Sequence, residues 1–527
     1  MSSQVLPKEV RLTAPPTMPQ ARSYLFKQQA TQSSYSPGSG NIQINIPRLQ
    51  RSYLSKDSYL KFRLGLLWDN DNDLTVIPCF DTCGAFGLFD TIEVYDYLGS
   101  TLLERTSGHG QLMALLMDTH CTVTELRSHF GAASGCKAMQ TAFDLDVHRP
   151  SVTPSTAAHA IAMAKYKQQV SPPVSGATFG NHIIAATNTD PAVAADSGPN
   201  NGTYTRYFEY TVPLFSFLGT LSKKYAPLHN GYTINITLNS AANALGFCTP
   251  LGVAIAAGGT APTTYTLSEV YFCSQVLELG PVAESMLIAS TQGQPFVVPT
   301  KAYRNYVGSL AANSTQYRLD LNLNVASLTN VMFIMRPTTN IGSILMKSLS
   351  YRIRNYLQSW YFQYGSTILP QTTGIQCRQP TGVVLDNGKG GYTEAYNELM
   401  KARHNYSNAN TMSMITPDTF WIDTPAAHSA AYIDANIQPM TAAAATALSP
   451  AAYVPPGKFA GGLDLELVPG RSNDLVCGMN TNGMNTSLYL NFDTSQSANI
   501  IAAQVDAWCE YDAFINISPG IATTVSF

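Results

Sequence analysis

Two stretches separated by about half of the chain share a pattern of strand-forming residues, proline, arginine and tyrosine. Residues 42–66 read IQINIPRLQRSYLSKDSYLKFRLGL, and residues 295–323 read PFVVPTKAYRNYVGSLAANSTQYRLDLNL. In each, a short β-type run ends at a proline (Pro47, Pro299), and an alternating apolar–polar run follows the arginine and tyrosine. A repeat at this spacing indicates two similar domains in tandem, and alternation indicates β-strands. We predict that each proline closes the first strand of its domain, where a missing N–H is tolerated.

The chain carries few charges for its 527 residues. Lys, Arg, Asp and Glu make up 12% of it, against about 25% in ordinary globular proteins, while a hydrophobic content of 45% argues against disorder. Because charge is costly to desolvate, this composition suits a protein that buries much of its exterior against copies of itself. A net charge of −3 gives no general attraction to nucleic acid, so we expect no sequence-specific nucleic-acid binding.

The composition also bears on the compartment. No run of about eighteen apolar residues is present, so no transmembrane segment is predicted, and the N-terminus lacks the apolar core of a signal peptide. The nine cysteines are odd in number and mostly isolated. We therefore expect reduced thiols in a cytosolic or nuclear setting.

Strand-forming runs, turn residues and long polar stretches predict three parts. Residues 1–36 are rich in Pro, Ser, Thr and Gln and should form an extended arm, ordered only by neighbouring molecules. Residues 37–290 and 291–527 should form one β-domain each, joined by a linker at 280–291. Helices are predicted at 108–117, 121–130 and 392–404, and a turn or helix at 213–221. The long loops at 170–203 and 425–457 should contact other subunits or the exterior.

Many strands, long loops and the absence of a βαβ rhythm favour an all-β fold of two tandem jelly-roll β-sandwiches with short helices in the loops. Four segments match a known family: 34–64, 210–239, 270–279 with 329–337, and 457–481. Over most of its length the chain resembles the double jelly-roll major capsid proteins of double-stranded DNA viruses. Within that group it is most similar to the polinton-like virus and virophage branch.

This resemblance implies a structural protein of the virion. Two wedge-like sandwiches per chain, repeated three times, would give the six wedges of a homotrimeric, pseudo-hexagonal capsomer, and such capsomers would tile an icosahedral shell. Neighbouring capsomers, penton proteins and minor capsid proteins are the implied partners. The implied place of synthesis and assembly is the cytoplasm or nucleus of the host cell.

No catalytic, cofactor-binding or metal site is predicted, and we expect no enzyme. The acidic run at 69–73 begins like a calcium loop, but Leu74 and Phe80 stand where glycine and glutamate are required. The cysteines and histidines of the first half lack zinc-ligand spacing: Cys79, Cys83, Cys121, Cys136, His109, His120 and His129. Residues 388–391 lack the remainder of a nucleotide-binding loop.

Two pairs of carboxylates keep an alternative function open. Asp464 and Glu466 alternate along one predicted strand, as do Glu510 and Asp512 along another. Paired carboxylates serve glycoside hydrolysis, so a β-sandwich carbohydrate-binding protein or glycosidase is the alternative. On an outward strand face the same residues are ordinary solvated charges, and this is the interpretation we adopt.

Overall fold

The structure is a computed structural model of the chain. It describes residues 21–68, 77–81, 83–97, 99–121, 129–135, 204–222, 224–248, 264–342, 348–377, 393–403, 415, 420, 423, 457–466, 478–518 and 523–527. The acidic run at 69–73, residues 388–391 and the predicted long loops, apart from Gly457, lie outside the described residues. No helix in the described ranges is long and apolar enough to cross a membrane.

Besides the 3-10 helix Gly84–Leu88, the first half contains thirteen strands and four α-helices among its described residues. In chain order they are β1 (Ala21–Gln29), β2 (Ser34–Tyr35), β3 (Ile42–Ile46), β4 (Ser52–Leu54), β5 (Tyr59–Trp68), β6 (Ile77–Phe80), β7 (Phe89–Asp96), β8 (Leu102–Ser107), α1 (His109–His120), α2 (His129–Ser134), β9 (Tyr204–Pro213), β10 (Ala226–Pro227), β11 (Tyr232–Leu238), α3 (Ala241–Ala244), β12 (Leu245–Cys248), β13 (Tyr265–Leu279) and α4 (Pro281–Ser290).

Two antiparallel sheets dominate this half. In the first sheet, β13 pairs with β1 and β2 on one side and with β5 and β4 on the other, and β9 and β10 extend it beyond β5 and β4. The second sheet has the order β3-β11-β7-β8. The short strands β12 and β6 pair separately. We call this unit, from β1 to β13, the first jelly roll.

The second half repeats this plan. Its elements are β14 (Phe296–Leu310), β15 (Gln316–Asp320), β16 (Leu328–Pro337), β17 (Leu357–Tyr364), β18 (Thr367–Leu369), β19 (Ile375–Gln376), α5 (Glu394–Ala402), β20 (Gly461–Asp464), β21 (Thr486–Phe492), β22 (Ala503–Ile517) and β23 (Thr524–Ser526). One sheet has the order β14-β22-β16-β20, with β23 also on β22, and the other has β15-β21-β17-β18, with β19 also on β17. We call this unit the second jelly roll.

Strand order defines the equivalent strands of the two halves. The sheet β1-β13-β5-β9 corresponds to β14-β22-β16-β20, and the sheet β3-β11-β7-β8 corresponds to β15-β21-β17-β18. The prediction of an all-β chain with two tandem jelly rolls and short helices in the loops is confirmed.

Alternating side chains build the core between the two sheets of each unit. In β3, Ile42, Ile44 and Ile46 are buried while the residues between them are exposed, which is the period expected of a strand with one covered face. Across the first core, Phe62 meets Phe89 edge to face at 5.7 Å. Across the second, Phe333 and Trp360 meet in the same way at 5.0 Å.

The sequence repeat that suggested the duplication does not align equivalent strands. Pro47 directly follows β3, as predicted, but Pro299 lies inside β14, opposite Phe514 of β22. The strand equivalent to β3 is β15, and β5 corresponds to β16 rather than to residues 317–323. The prediction that Pro299 closes a strand is therefore wrong. Pro299 is tolerated because β14 lies at the end of its sheet order, where one row of backbone groups is not needed for pairing.

Part of the predicted arm also belongs to the fold. All nine residues of β1 pair with β13 of the same chain, and Tyr35 is buried. Residues 21–36 therefore do not need a neighbouring molecule to become ordered, because their backbone groups are satisfied within the first sheet. Residues 1–20 lie outside the described residues.

The structure describes all or part of each predicted helix. Those near 108–117 and 392–404 are present as α1 and α5, and the linker at 280–291 is the helix α4. Of the helix predicted at 121–130, the structure describes Cys121, which follows the end of α1, and residues 129–130, which belong to α2; residues 122–128 lie outside the described residues. Residues 216–221 form turns.

Candidate functional site: the junction of the two jelly rolls

The two jelly rolls meet on one face of the sheet β14-β22-β16-β20. One face of this sheet carries Phe333 and contacts the core of its own unit. On the opposite face, the Nε1 of Trp508 donates to the carbonyl of Ser107 at 3.3 Å, and the ring of Tyr303 lies 5.4 Å from that of Phe215. All ten residues of β16 are buried, so both faces of this strand are covered. We call the contact between the two units the junction.

A buried charge cluster crosses the junction at the end of α1. Asp118 of the first jelly roll accepts a hydrogen bond from Nη2 of Arg352 at 2.6 Å and forms an ion pair with Lys458. Both cations belong to the second jelly roll, and both side chains are 0% exposed. Burial lowers the pKa of the Lys458 ammonium, while the charges of Asp118 and Asp81 oppose that change.

Asp81 is the second anion of this cluster. It also belongs to the first jelly roll, and its Oδ2 accepts from the backbone N–H groups of Leu349 and Ser350, each at 3.0 Å. Two carboxylates from one unit thus balance a guanidinium and an ammonium from the other. Buried pairs of this kind add little to stability compared with apolar packing, but the removal of one partner leaves an uncompensated charge. The cluster therefore fixes the position of one jelly roll against the other.

A second cluster contains three of the carboxylates singled out in the sequence. Nζ of Lys301 lies 3.8 Å from Glu466, 3.9 Å from Glu510 and 2.9 Å from Asp512. Glu510 also accepts from Nη1 of Arg403 at 3.0 Å and from the hydroxyl of Tyr303 at 2.7 Å. The interpretation as solvated charges is wrong for Glu466 and Glu510, which are buried. Their sheet face is covered by α5 and by the first jelly roll.

The surroundings of Glu466 and Glu510 shift the pKa values of the two carboxyls in opposite directions. Burial alone would raise the pKa of Glu510, but Arg403 and Lys301 overcome it and hold the value at about 2. Burial raises the pKa of Glu466 to about 7 against the opposing charge of Lys301, and the nearby carboxylates of Asp464, Glu510 and Asp512 add to the rise. Lys301 and Arg403, both from the second jelly roll, thus pair with the carboxylates of this cluster. In the described residues no group of three or more His, Cys, Asp or Glu side chains is arranged to hold a metal ion.

Glu104 is a further buried carboxyl that the sequence reading missed. It lies in β8, the strand of the first jelly roll that packs against β14. Its Oε2 accepts from the hydroxyl of Ser216 at 2.5 Å and from the N–H of Phe217 at 3.0 Å. Burial raises the pKa of Glu104 to about 7, and these two hydrogen bonds only partly oppose the rise. In the sequence, Glu104 stands between Leu103 and Arg105, and these neighbours do not indicate that its side chain is buried.

The histidines considered as metal ligands occupy different surroundings. His109 is buried among the rings of Phe86, Phe89 and Phe215, and burial lowers its pKa to about 4. His120 lies across the junction, with Nε2 3.0 Å from Nη2 of Arg403. The side chain of His129 is outside the described part of the structure.

Among the cysteines, Cys83 is buried and Cys121 is half-buried. The side chain of Cys79 and all of Cys136 lie outside the described part. The prediction of a chain without a metal site in this region therefore stays a prediction.

Neutral hydrogen bonds complete the junction. Oδ1 of Asn243 accepts from the hydroxyl of Ser348 at 2.7 Å and from the N–H of Gly342 at 2.9 Å. Nδ2 of Asn230 donates to the carbonyl of Ser518 at 2.9 Å. These contacts join α3 and a loop of the first jelly roll to loops of the second, so the two units are held at several points along the interface.

Comparison with known proteins bears on the fold. No family model matches the chain, and no curated protein matches it. Solved structures do match: the crystal structure of the mavirus major capsid protein has a TM-score of 0.54 at 10% identity and covers 99% of this chain and 93% of that one. The Sputnik virophage structure determined by cryo-EM has a TM-score of 0.52 at 10% identity, covering 99% and 92%. The chain has the double jelly-roll fold. At 10% identity the similarity establishes the fold of this chain, and the coverage of 99% includes both jelly rolls and the segment that connects them.

Proposed function

We propose that this protein is the major capsid protein of a double-stranded DNA virus of the virophage or polinton-like kind. The observation that carries the proposal is the repeated strand order over the whole chain, with its junction locked by buried charge. The similarity to the mavirus major capsid protein over 99% of the chain supports it. The function of such a chain depends on its shape, because its two jelly rolls form two wedges in a fixed relative position that neighbouring chains contact.

The proposed assembly is a homotrimer. Two jelly rolls per chain, repeated three times around an axis, give the six wedges of a pseudo-hexagonal capsomer, and closed cyclic symmetry prevents open-ended association. A locked junction supports this assembly because any rotation between the two rolls of one chain would misplace the next chain. Capsomers would tile an icosahedral shell in the virion, after synthesis in the cytoplasm or nucleus of the host cell. Penton and minor capsid proteins are the further partners we propose.

We propose that the boundary between the two domains lies between residues 290 and 291, at the end of α4, which connects β13 to β14. We propose no enzymatic role. The carbohydrate-binding or glycosidase alternative is less well supported, because Glu466, Glu510 and Asp512 surround Lys301 at the junction. Glu466 and Glu510 are buried, so neither carboxylate is presented at the surface of the chain for a sugar to bind.

Native mass spectrometry of the purified protein at neutral pH tests the proposal. We expect a dominant species of three chains, and electron microscopy should show pseudo-hexagonal blocks or shells. A monomer that persists at micromolar concentration, with no larger species on further concentration, would contradict the proposal.

A further inference from the structure

Equivalent strands of the two jelly rolls differ in how they are covered. All ten residues of β16 are buried, whereas its counterpart β5 alternates over residues 60–64: Leu60, Phe62 and Leu64 are buried on the core side, while Lys61 and Arg63 on the other side reach the surface. The outer face of the β16 sheet is the junction, and the first jelly roll lies on it. Within the described residues, the same face of the β5 sheet keeps its charged side chains accessible.

The strands at the edges of the sheets show the same asymmetry. In β8, which packs against β14, the side chains of Leu103, Glu104 and Thr106 are buried. Its counterpart β18 has two exposed residues and a half-buried one. The counterpart of β14 is β1, and each of its nine residues is exposed or half-buried. Both partners of the β8–β14 contact thus have equivalents that lack a partner of this kind among the described residues of the chain.

We propose that β18 of one copy of this chain packs against β1 of a second copy, repeating between chains the contact that β8 and β14 make within one chain. The second jelly roll of one chain would thereby cover the outer face of the first jelly roll of the next. This inference rests on the proposed capsid function, for which it names the contact surface. The contact joins two different surfaces, so it can close a ring after three chains.

The chemistry of the two surfaces fits this contact. Leu25 of β1 is 55% exposed, and it lies opposite the exposed Gln275 of β13 on the outer face of the sheet. On the other surface, Ile368 of β18 is 40% exposed, and Met484 lies against the turn at Gly365 that leads into β18. Long exposed edge strands with apolar side chains are sites of association unless they are covered. A second copy supplies an apolar strand of matching kind.

Charged pairs border the apolar part of the proposed contact. On the outer face of the β5 sheet, Lys61 pairs with Glu209 at 3.0 Å and Arg63 pairs with Glu269 at 2.7 Å. Because each of these charges is already paired within the chain, they can form a polar rim around the interface, and a neighbouring chain that covers them does not leave a charge unpaired. The apolar residues of β1 and β18 would then supply the centre of the interface.

Charge substitutions at the two strands test the contact. In Leu25→Asp/Ile368→Asp, two like charges would face each other, whereas Leu25→Asp/Ile368→Lys would place opposite charges at the same positions with the same loss of apolar surface. We expect native mass spectrometry to show loss of the trimer in the first variant and its recovery in the second. Val307→Asp is the matched control, because Val307 is 57% exposed on β14, and it should leave the trimer intact.

A second measurement, disulfide cross-linking, introduces no charge at the interface. The double variant Leu25→Cys/Ile368→Cys should give disulfide-linked dimers and trimers on a non-reducing gel, while the wild type and each single variant should not. If the wild type is a trimer, equal trimer fractions in the two charge variants or the absence of linked species would overturn this inference and leave the proposed function standing. A monomeric wild type would instead overturn the proposed function itself.

Discussion

Glu104 gives the most direct test of the junction electrostatics, through the variant Glu104→Gln. A glutamine keeps the size of the side chain, and its carbonyl oxygen can accept the same hydrogen bonds from Ser216 and Phe217. It removes only the ionisation. In the native protein, burial raises the pKa of Glu104 from its usual 4.5 to about 7. At about 1.36 kcal/mol per pH unit, this rise corresponds to about 3 kcal/mol.

The sign follows from proton linkage. Below pH 4.5 the carboxyl is protonated in both the folded and the unfolded chain, so its ionisation has no effect on stability. Between pH 4.5 and about 7 the unfolded chain releases the proton while the folded protein retains it, and the free energy of unfolding therefore falls as pH rises. Above pH 7 the loss is complete and constant. The native protein should thus lose about 3 kcal/mol that Glu104→Gln does not lose.

Urea unfolding at pH 5 and pH 8 measures this effect as the difference in free energy of unfolding between variant and wild type at each pH. The difference should grow in favour of Glu104→Gln by about 2–3 kcal/mol between the two conditions. Glu209→Gln is the control: its side chain is 49% exposed beside Lys61, so its effect should stay below about 1 kcal/mol at both values. An equal difference for Glu104→Gln at pH 5 and pH 8 would refute the reasoning.

Three further predictions concern packing, charge and assembly. Asp118→Ala should lower the free energy of unfolding by about 3–5 kcal/mol, because it leaves buried cations without their partner; the additional change Lys458→Met should restore part of the loss, and no restoration would contradict this account. Gly461→Ala should destabilise the second jelly roll by about 1–3 kcal/mol in thermal unfolding, since its Cβ would lie 2.1 Å from Cε1 of Phe333; an unchanged melting temperature would count against this packing. Deletion of residues 430–450 should reduce the yield of capsomers while the thermal transition of the monomer stays within a few degrees, and an unchanged yield would argue against a role of this loop in assembly.

The sequence predicted the fold well because strand patterns are local. Alternation of Ile42, Ile44 and Ile46 with polar residues identifies a strand with one buried face without knowledge of its partner. The repeat around Pro47 and Pro299 led to the correct architecture through a wrong alignment, since Pro47 follows β3 and Pro299 lies inside β14, and these two strands are not equivalent. Local similarity of a few residues could not distinguish a strand end from a tolerated position in an edge strand.

The junction was not predictable in the same way. Asp118 and Lys458 are 340 positions apart in the sequence, and each alone resembles a surface charge. Only the near-continuous apolar run of β16, LTNVMFIMRP, carried a local signal, because a strand covered on both faces loses its alternation. That signal shows that something covers the outer face, but it does not say which residues do so.

The division of charge at the junction makes the two halves of the chain complementary rather than interchangeable. Asp81 and Asp118 come from the first jelly roll, and Arg352 and Lys458 from the second. Two first halves placed together would bring carboxylates against carboxylates, and two second halves would bring cations against cations. Opposite charges of this kind favour the association of a first half with a second half over the association of two like halves. Neither half, produced alone, would contain the counter-charges for its own share of the cluster that Asp118 forms with Arg352 and Lys458.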